Sequence, residues 1–314
     1  MITHSKPELN SKDILNVTKT LKAGKLAQGD EVKRFESLLA QYIGVKNCVA
    51  VSSGTAALHL VLVALNIEPG DEVILPSYVC TAPLNAINYT GAVPVLVDIG
   101  EDLNISVKDV KKKLSKRTRA IIVPHMFGLP AELDELLNFE LPVIEDCAHA
   151  IGAEYRGKKT GSFGIAGIFS FYATKMITTG EGGAIVTNSE EISLCVSDLR
   201  EYDEKPDYKV RYNYKMTDIN AAIGISQLRK LEEFITRRRE IAKAYRKALK
   251  NIKCKLPLEK SYAKHIYYRF VVLVKKLPQV IDALNKRGIC VRRPVYKPLH
   301  QYLGLGGFKS VSYT

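Results

Sequence analysis

No apolar run in this 314-residue chain approaches the ~20 residues that a membrane-spanning helix requires, so no membrane partner is expected. The opening MITHSKPELNSKDIL lacks the apolar centre of a secretory leader. Without export, the sequons at Asn16, Asn88 and Asn104 carry no glycosylation meaning. Cys48, Cys80, Cys147, Cys195, Cys254 and Cys290 form no C-x-x-C pair. That argues against a zinc site and against a disulfide framework, and makes a reducing cytoplasm the simplest compartment. Acidic residues are outnumbered, 33 Asp and Glu against 46 Lys and Arg, for a formal net charge of +13. Nucleic-acid binding is one reading of that excess. The runs Lys111–Lys113 and Arg237–Arg239 fall in helix-like segments, however, and no zinc finger, recognition helix or aromatic–basic interleaving accompanies them. They read as solvated faces, and a basic surface also attracts small anions such as nucleotides.

The chain is long enough for one large domain and one small one. Short apolar, β-branched runs at 48–52, 72–75, 94–98, 120–125, 142–146, 167–171 and 184–187 read as strands. Helical patterns at 55–65, 82–90, 106–114 and 132–139 lie between them. Strands alternating with helices predict an α/β fold with a mostly parallel sheet, covered on both faces. From Met216 to Lys250 the pattern is that of one long helix, apolar first and charged later. Residues 251–314 offer strand–helix–strand material. The expected division is a large domain over 1–245 and a small one over 246–314.

Three stretches carry chemistry. In VSSGTAALHL (51–60) a strand ends and Gly54 and Thr55 open a helix. Such a turn presents free N–H groups to a phosphate, and it also serves as a plain N-cap. In PVIEDCAHA (142–150) a strand delivers Glu145 and Asp146 at its carboxyl end, where open α/β sheets bind ligands. Asp146 suits holding a proton on a ring nitrogen, or capping a turn. His149 follows, and read alone is a packing residue. In SFYATKMITTGEGG (170–183), Ser170 and Lys175 lie between a strand and a glycine-rich turn. A lysine that binds an aldehyde must be drawn from bulk water so that its amine is neutral part of the time. The order of phosphate turn, strand-end aspartate, then serine and lysine is the layout of the large pyridoxal phosphate (PLP) enzymes with a seven-stranded sheet.

The longer motifs SSGTAALHL, PGDEVILPSY, GAVPVLVDI, VIEDCAHAIGAEYRGKKTGSFG, FSFYATKMITTGEGG and YNYKMTDINAAIGISQL resemble the DegT/DnrJ/EryC1/StrS family of nucleotide-sugar aminotransferases, over nearly the whole chain. The resemblance implies the aspartate aminotransferase-like fold, fold type I, with a smaller C-terminal α/β domain. It implies Lys175 as the lysine that binds PLP and Asp146 as the carboxylate facing the pyridine nitrogen. His149 then stands near the phenolic oxygen, with Ser170, Gly54 and Thr55 at the phosphate. Asn213 then reaches the phosphate of a neighbouring subunit, which makes a homodimer the expected assembly. Cys80 stands where the family commonly stacks an aromatic ring on the cofactor, and Tyr78, two residues earlier, is the other candidate for that face. The chain stops at GFKSVSYT where family members usually continue, so a shortened small domain is expected.

The implied reaction moves an amino group from an amino acid, L-glutamate by analogy, to a nucleotide-linked keto-sugar. The cofactor alternates between PLP and its aminated form (PMP), and the product serves amino-sugar and cell-surface polysaccharide synthesis. Arg211, Lys215, Arg292 and Arg293 are candidates for the substrate diphosphate, with a plain surface charge the favoured reading for each. A PLP-fold sugar dehydratase is an alternative, though such enzymes carry histidine where Lys175 stands. A non-catalytic regulatory relative is another.

Overall fold

The computed structural model describes residues 1–308, so residues 309–314 of the expected small domain lie outside the described residues. In chain order the strands are β1 (Asn47–Val51), β2 (Glu72–Pro76), β3 (Val93–Val97), β4 (Thr118–Pro124), β5 (Val143–Asp146), the short hairpin β6 (Glu154–Tyr155) and β7 (Lys158–Lys159), β8 (Ala166–Ser170), β9 (Gly183–Thr187) and β10 (Ala263–Lys264). The helices are α1 (Ser11–Lys22), α2 (Asp30–Ile43), α3 (Gly54–Ala64), α4 (Ala82–Tyr89), α5 (Val107–Lys113), α6 (Asp134–Leu137), α7 (Glu190–Leu199), α8 (Asp218–Leu228), α9 (Leu231–Leu249), α10 (Leu277–Lys286) and α11 (Leu299–Tyr302).

A seven-stranded sheet in the order β1-β9-β8-β5-β4-β2-β3 organises the large domain. Strand β9 runs antiparallel to both of its neighbours, and the remaining pairs are parallel. All seven runs read from the sequence as strands are in this sheet. Strands β2 and β9 are buried along their whole length, as expected where helices cover both faces. Helix α3 is buried from Gly54 through Leu62 apart from Thr55, which explains why its sequence is apolar nearly all round. A smaller sheet pairs β10 with β6 and β6 with β7.

Two expectations are corrected. The single helix read over 216–250 is two, α8 and α9, separated at Arg229–Lys230. Each half packs on different neighbours. Helix α8 buries Ala221, Ala222, Gly224 and Ile225, and a Cβ on Gly224 would stand 2.8 Å from the Phe35 ring of α2. Helix α9 is mostly solvated, burying Leu231, Ile235 and Ala242. One straight rod could not satisfy both contacts.

Around α10, the flanks 267–274 and 289–296 form no ladder strands. They carry only the isolated bridges Lys255↔Leu273 and Ile2↔Ile289. An extended apolar segment becomes a strand only when a neighbour answers its N–H and C=O groups along its length, and here the neighbours touch at single residues. Helix α10 accordingly has no fully buried residue.

Among the described residues no helix is long and apolar enough to cross a membrane.

Candidate active site

The parallel strands bring β1, β2, β5 and β8 to one carboxyl edge, and antiparallel β9 starts there. The sequence motifs therefore meet although more than a hundred residues separate the first from the last along the chain.

At the end of β1, Ser53 caps α3 by accepting the Ala56 N–H at 3.0 Å. The first turn of α3 thus keeps other N–H groups free for an anion. A Cβ on Gly54 would lie 2.9 Å from Ser170 Cβ, and one on Gly183 2.4 Å from the Ser53 carbonyl carbon. Both glycines are there for close approach. They let the α3 N-terminus sit against the end of β8, so that its amides and the Ser170 hydroxyl form one cradle. Thr55 is half-buried beside it.

Asp146 ends β5 and is 8% exposed. Its Oδ1 accepts the Ala148 N–H at 3.0 Å, and among the described residues no hydrogen bond holds Oδ2. Burial pushes this carboxyl above its usual range, against the pull of the Ala148 amide and the Lys175 charge. A pyridinium proton presented to Oδ2 would supply the missing partner and restore the charged form.

Neighbouring Glu145 points to the opposite face, as strand alternation requires. It accepts the N–H groups of Gly161 (2.8 Å), Phe163 (2.7 Å) and Gly164 (2.9 Å) and pairs with His125 Nε2 at 3.0 Å. Although burial works the other way, His125 and these amides hold the Glu145 carboxyl below its usual range. His125 Nδ1 accepts the Ala131 N–H at 3.0 Å, so both ring nitrogens of the His125–Glu145–Cys147 group are already engaged and none is left for a metal.

Lys175 lies on the β8–β9 connection. That loop is pinned by Phe171 N–H to the Gly182 carbonyl (2.8 Å), Thr179 N–H to the Phe171 carbonyl (2.9 Å) and Asn220 Nδ2 to the Thr179 carbonyl (2.6 Å). Lys175 is half-buried, and its Nζ lies 5.5 Å from the Tyr268 ring centroid with no ion-pair partner among the described residues. Its charge is felt at Asp146, His149 and Cys80.

His149 is sandwiched between Tyr268 (centroids 4.4 Å apart, 22° between planes) and Phe127 (5.9 Å, 18°). Burial, then the Lys175 and Arg269 charges, push it well below the usual histidine range, so the ring is neutral. Phe127 reaches its place through a backbone φ of 58°, a left-handed conformation costly for a bulky side chain.

Of the two candidates for the ring-covering position, Cys80 is exposed at the edge and Tyr78 is 3% exposed inside the core. Asn213 is exposed. The adjoining Tyr214 carbonyl accepts the Ser52 N–H at 2.7 Å, which runs that segment alongside the cradle turn.

The four basic residues sort by their partners. Arg211 is committed to Asp198 (3.1 Å) and Asp207 (2.6 Å), and Lys215 to Asp203 (2.6 Å). Arg292 and Arg293 are exposed. Sequence reasoning missed Phe127, Tyr268, Arg238 and Arg269. The available signal was the cluster YYRF at 267–270, read there as a strand.

The residues therefore suit PLP: an anion cradle closed by glycine, a buried carboxylate with a spare oxygen, and an unpaired lysine. Residues 7–304 match the model of the DegT/DnrJ/EryC1/StrS aminotransferase family. The chain is 42% identical to the uncharacterized protein MJ1066 of Methanocaldococcus jannaschii, over 90% of this chain and 81% of that one. It is 37% identical to the GDP-perosamine synthase of Escherichia coli O157:H7, over 87% and 78%. Among solved structures, the sugar aminotransferase Spr1654 of Streptococcus pneumoniae in its PMP form superposes with a TM-score of 0.92 at 27% identity, covering 99% of this chain and 90% of that one. The cradle, the carboxylate and the lysine thus sit in a chain that belongs to the DegT/DnrJ/EryC1/StrS aminotransferase family.

Proposed function

We propose that this enzyme, a PLP-dependent sugar aminotransferase, takes the amino group of L-glutamate and delivers it to a nucleotide-linked keto-sugar. The observation that carries the reading is one sheet edge holding the α3–Ser170 cradle, buried Asp146 and unpaired Lys175. The likeness to a GDP-perosamine synthase supports a nucleotide-linked acceptor.

When bound, PLP supplies an aldehyde and an electron-withdrawing ring. The residues supply the rest. The α3 amides with Gly54, Thr55 and Ser170 hold its phosphate. The Asp146 carboxylate holds the proton on the ring nitrogen, because a nearby anion favours the charged form. The neutral His149 ring would donate toward the phenolic oxygen, and Cys80 would cover the ring face. Lys175 anchors the aldehyde. The free Lys175 amine would be the base that takes the donor's α-proton and the acid that gives a proton back, with the roles reversed for the sugar. We place the enzyme in the cytoplasm as a homodimer, with Asn213 of each subunit completing the other's cradle. The division at 245/246 is retained as the proposed boundary, although α9 runs through it.

A glutamate-dependent amination screen over nucleotide-linked 3-keto and 4-keto sugars, read by mass and NMR, tests the reading. Lys175→Ala should lose the visible absorbance of the lysine-linked cofactor together with turnover. Asp146→Ala should keep part of the cofactor and lose about 10²-fold or more in rate. Wild-type turnover in Lys175→Ala would refute the assignment.

A further inference from the structure

Two arginines near Lys175 have no carboxylate to answer them among the described residues. Arg269 lays its guanidinium 4.5 Å from the Tyr268 ring centroid, the same ring that Lys175 approaches at 5.5 Å. Arg238, on α9, donates Nη1 to the Tyr268 carbonyl at 3.1 Å. With Lys175 and Thr178 it lines a cavity of about 300 Å³. Among the described residues neither arginine has a carboxylate within ion-pair distance, whereas Arg200, Arg211 and Arg237 each have one. Burial first, and the Arg269 charge second, hold Arg238 below the usual arginine range. Holding two half-buried cations together costs free energy that a bound anion would return.

We propose that Arg238 and Arg269 receive the carboxylates of a dicarboxylic amino donor, a reading that rests on the transamination proposed above. Reach decides for the donor over the sugar's diphosphate. The donor's α-carbon is bonded to the nitrogen that takes the place of the Lys175 amine, so its carboxylate falls within ~4 Å of that point. In a nucleotide-linked keto-sugar the sugar ring separates the reacting carbon from the diphosphate. Arg269, over the ring that Lys175 also approaches, and Arg238, in the cavity that Lys175 lines, suit the nearer anion. The planar fork of each guanidinium matches a carboxylate, and a pair of forks matches a donor with two carboxylates.

The test uses the cofactor-loaded full chain and reads the two half-reactions separately. Arg269→Met should weaken L-glutamate in the first half-reaction about 10- to 100-fold. It should leave the nucleotide-sugar half-reaction, started from the aminated form, within about twofold. Arg269→Lys should fall between. Arg238→Gln, checked for an unchanged thermal midpoint, should act in the same direction. Calorimetric titration of glutarate should show a matching rise in Kd, independent of turnover. A loss confined to the nucleotide-sugar half-reaction, or an unchanged glutarate Kd in both variants, overturns the proposal. If wild type itself takes an amino group from no amino acid yet binds glutarate through these arginines, it is the transamination reading that has failed.

Discussion

Gly54 and Ser170, at the ends of two strands far apart in the sequence, approach so closely that a Cβ on the glycine would stand 2.9 Å from the serine Cβ. Their contact sets the helix N-terminus against the serine hydroxyl. Gly54→Ala should pry them apart at a cost of about 1–3 kcal/mol and lower PLP affinity at least about tenfold. Cofactor titration followed by absorbance is the check, and an unaltered Kd would remove the cradle from the phosphate site.

Glu145 should matter for folding and not for chemistry. Glu145→Gln turns an NH₂ group toward donors that now face a carboxylate oxygen, and should cost about 3 kcal/mol in urea unfolding. Because the folded carboxyl is held low, its contribution is complete above the unfolded pKa of about 4.3 and fades as pH falls through the folded value. The variant should therefore show a flatter loss of stability in acid than wild type. A parallel pair of acid-unfolding curves would exclude this role.

His265 provides a second pH signature. Burial pushes it down to about 3, while its Nδ1 accepts the Tyr267 N–H at 3.1 Å. The unfolded chain therefore binds a proton that the folded one refuses, and stability rises with pH across that window. Between pH 6.5 and pH 5 the loss on acidification should be about 1–2 kcal/mol from this residue. His265→Asn keeps an acceptor for Tyr267 and should flatten that part of the profile, measured by thermal midpoints at each pH. A slope identical to wild type would contradict it.

Subunit mixing addresses Asn213. Lys175→Ala and Asn213→Ala chains should each be inactive alone. Co-refolded in equal amounts as randomly paired dimers, they should recover about a quarter of wild-type activity, since half the dimers are mixed and each mixed dimer has one intact site. No recovery would mean that the asparagine serves its own chain.

Much of this was legible beforehand for identifiable reasons. The seven strands announced themselves as apolar, β-branched runs because both faces of the sheet are covered. Asp146 and Lys175 could be located because one ends such a run and the other lies four residues beyond one. Other features depend on contacts between distant segments. Tyr78 and Cys80 are two residues apart, yet one enters the core and the other faces the edge. Arg211 and Lys215 are ambiguous in sequence, and their partners Asp198, Asp203 and Asp207, 4 to 13 residues upstream, meet them only through the fold of the loop after α7.

Local pattern was enough for the seven strands of the large sheet, the α/β class and the strand-end positions of the candidate groups, since alternation and strand-end position are properties of short segments. Which cations remain unpaired, which aromatic rings enclose His149 and where the 216–250 helix breaks were matters of packing. Each depends on the residue that arrives opposite once the chain has folded, and no window of sequence contains that neighbour.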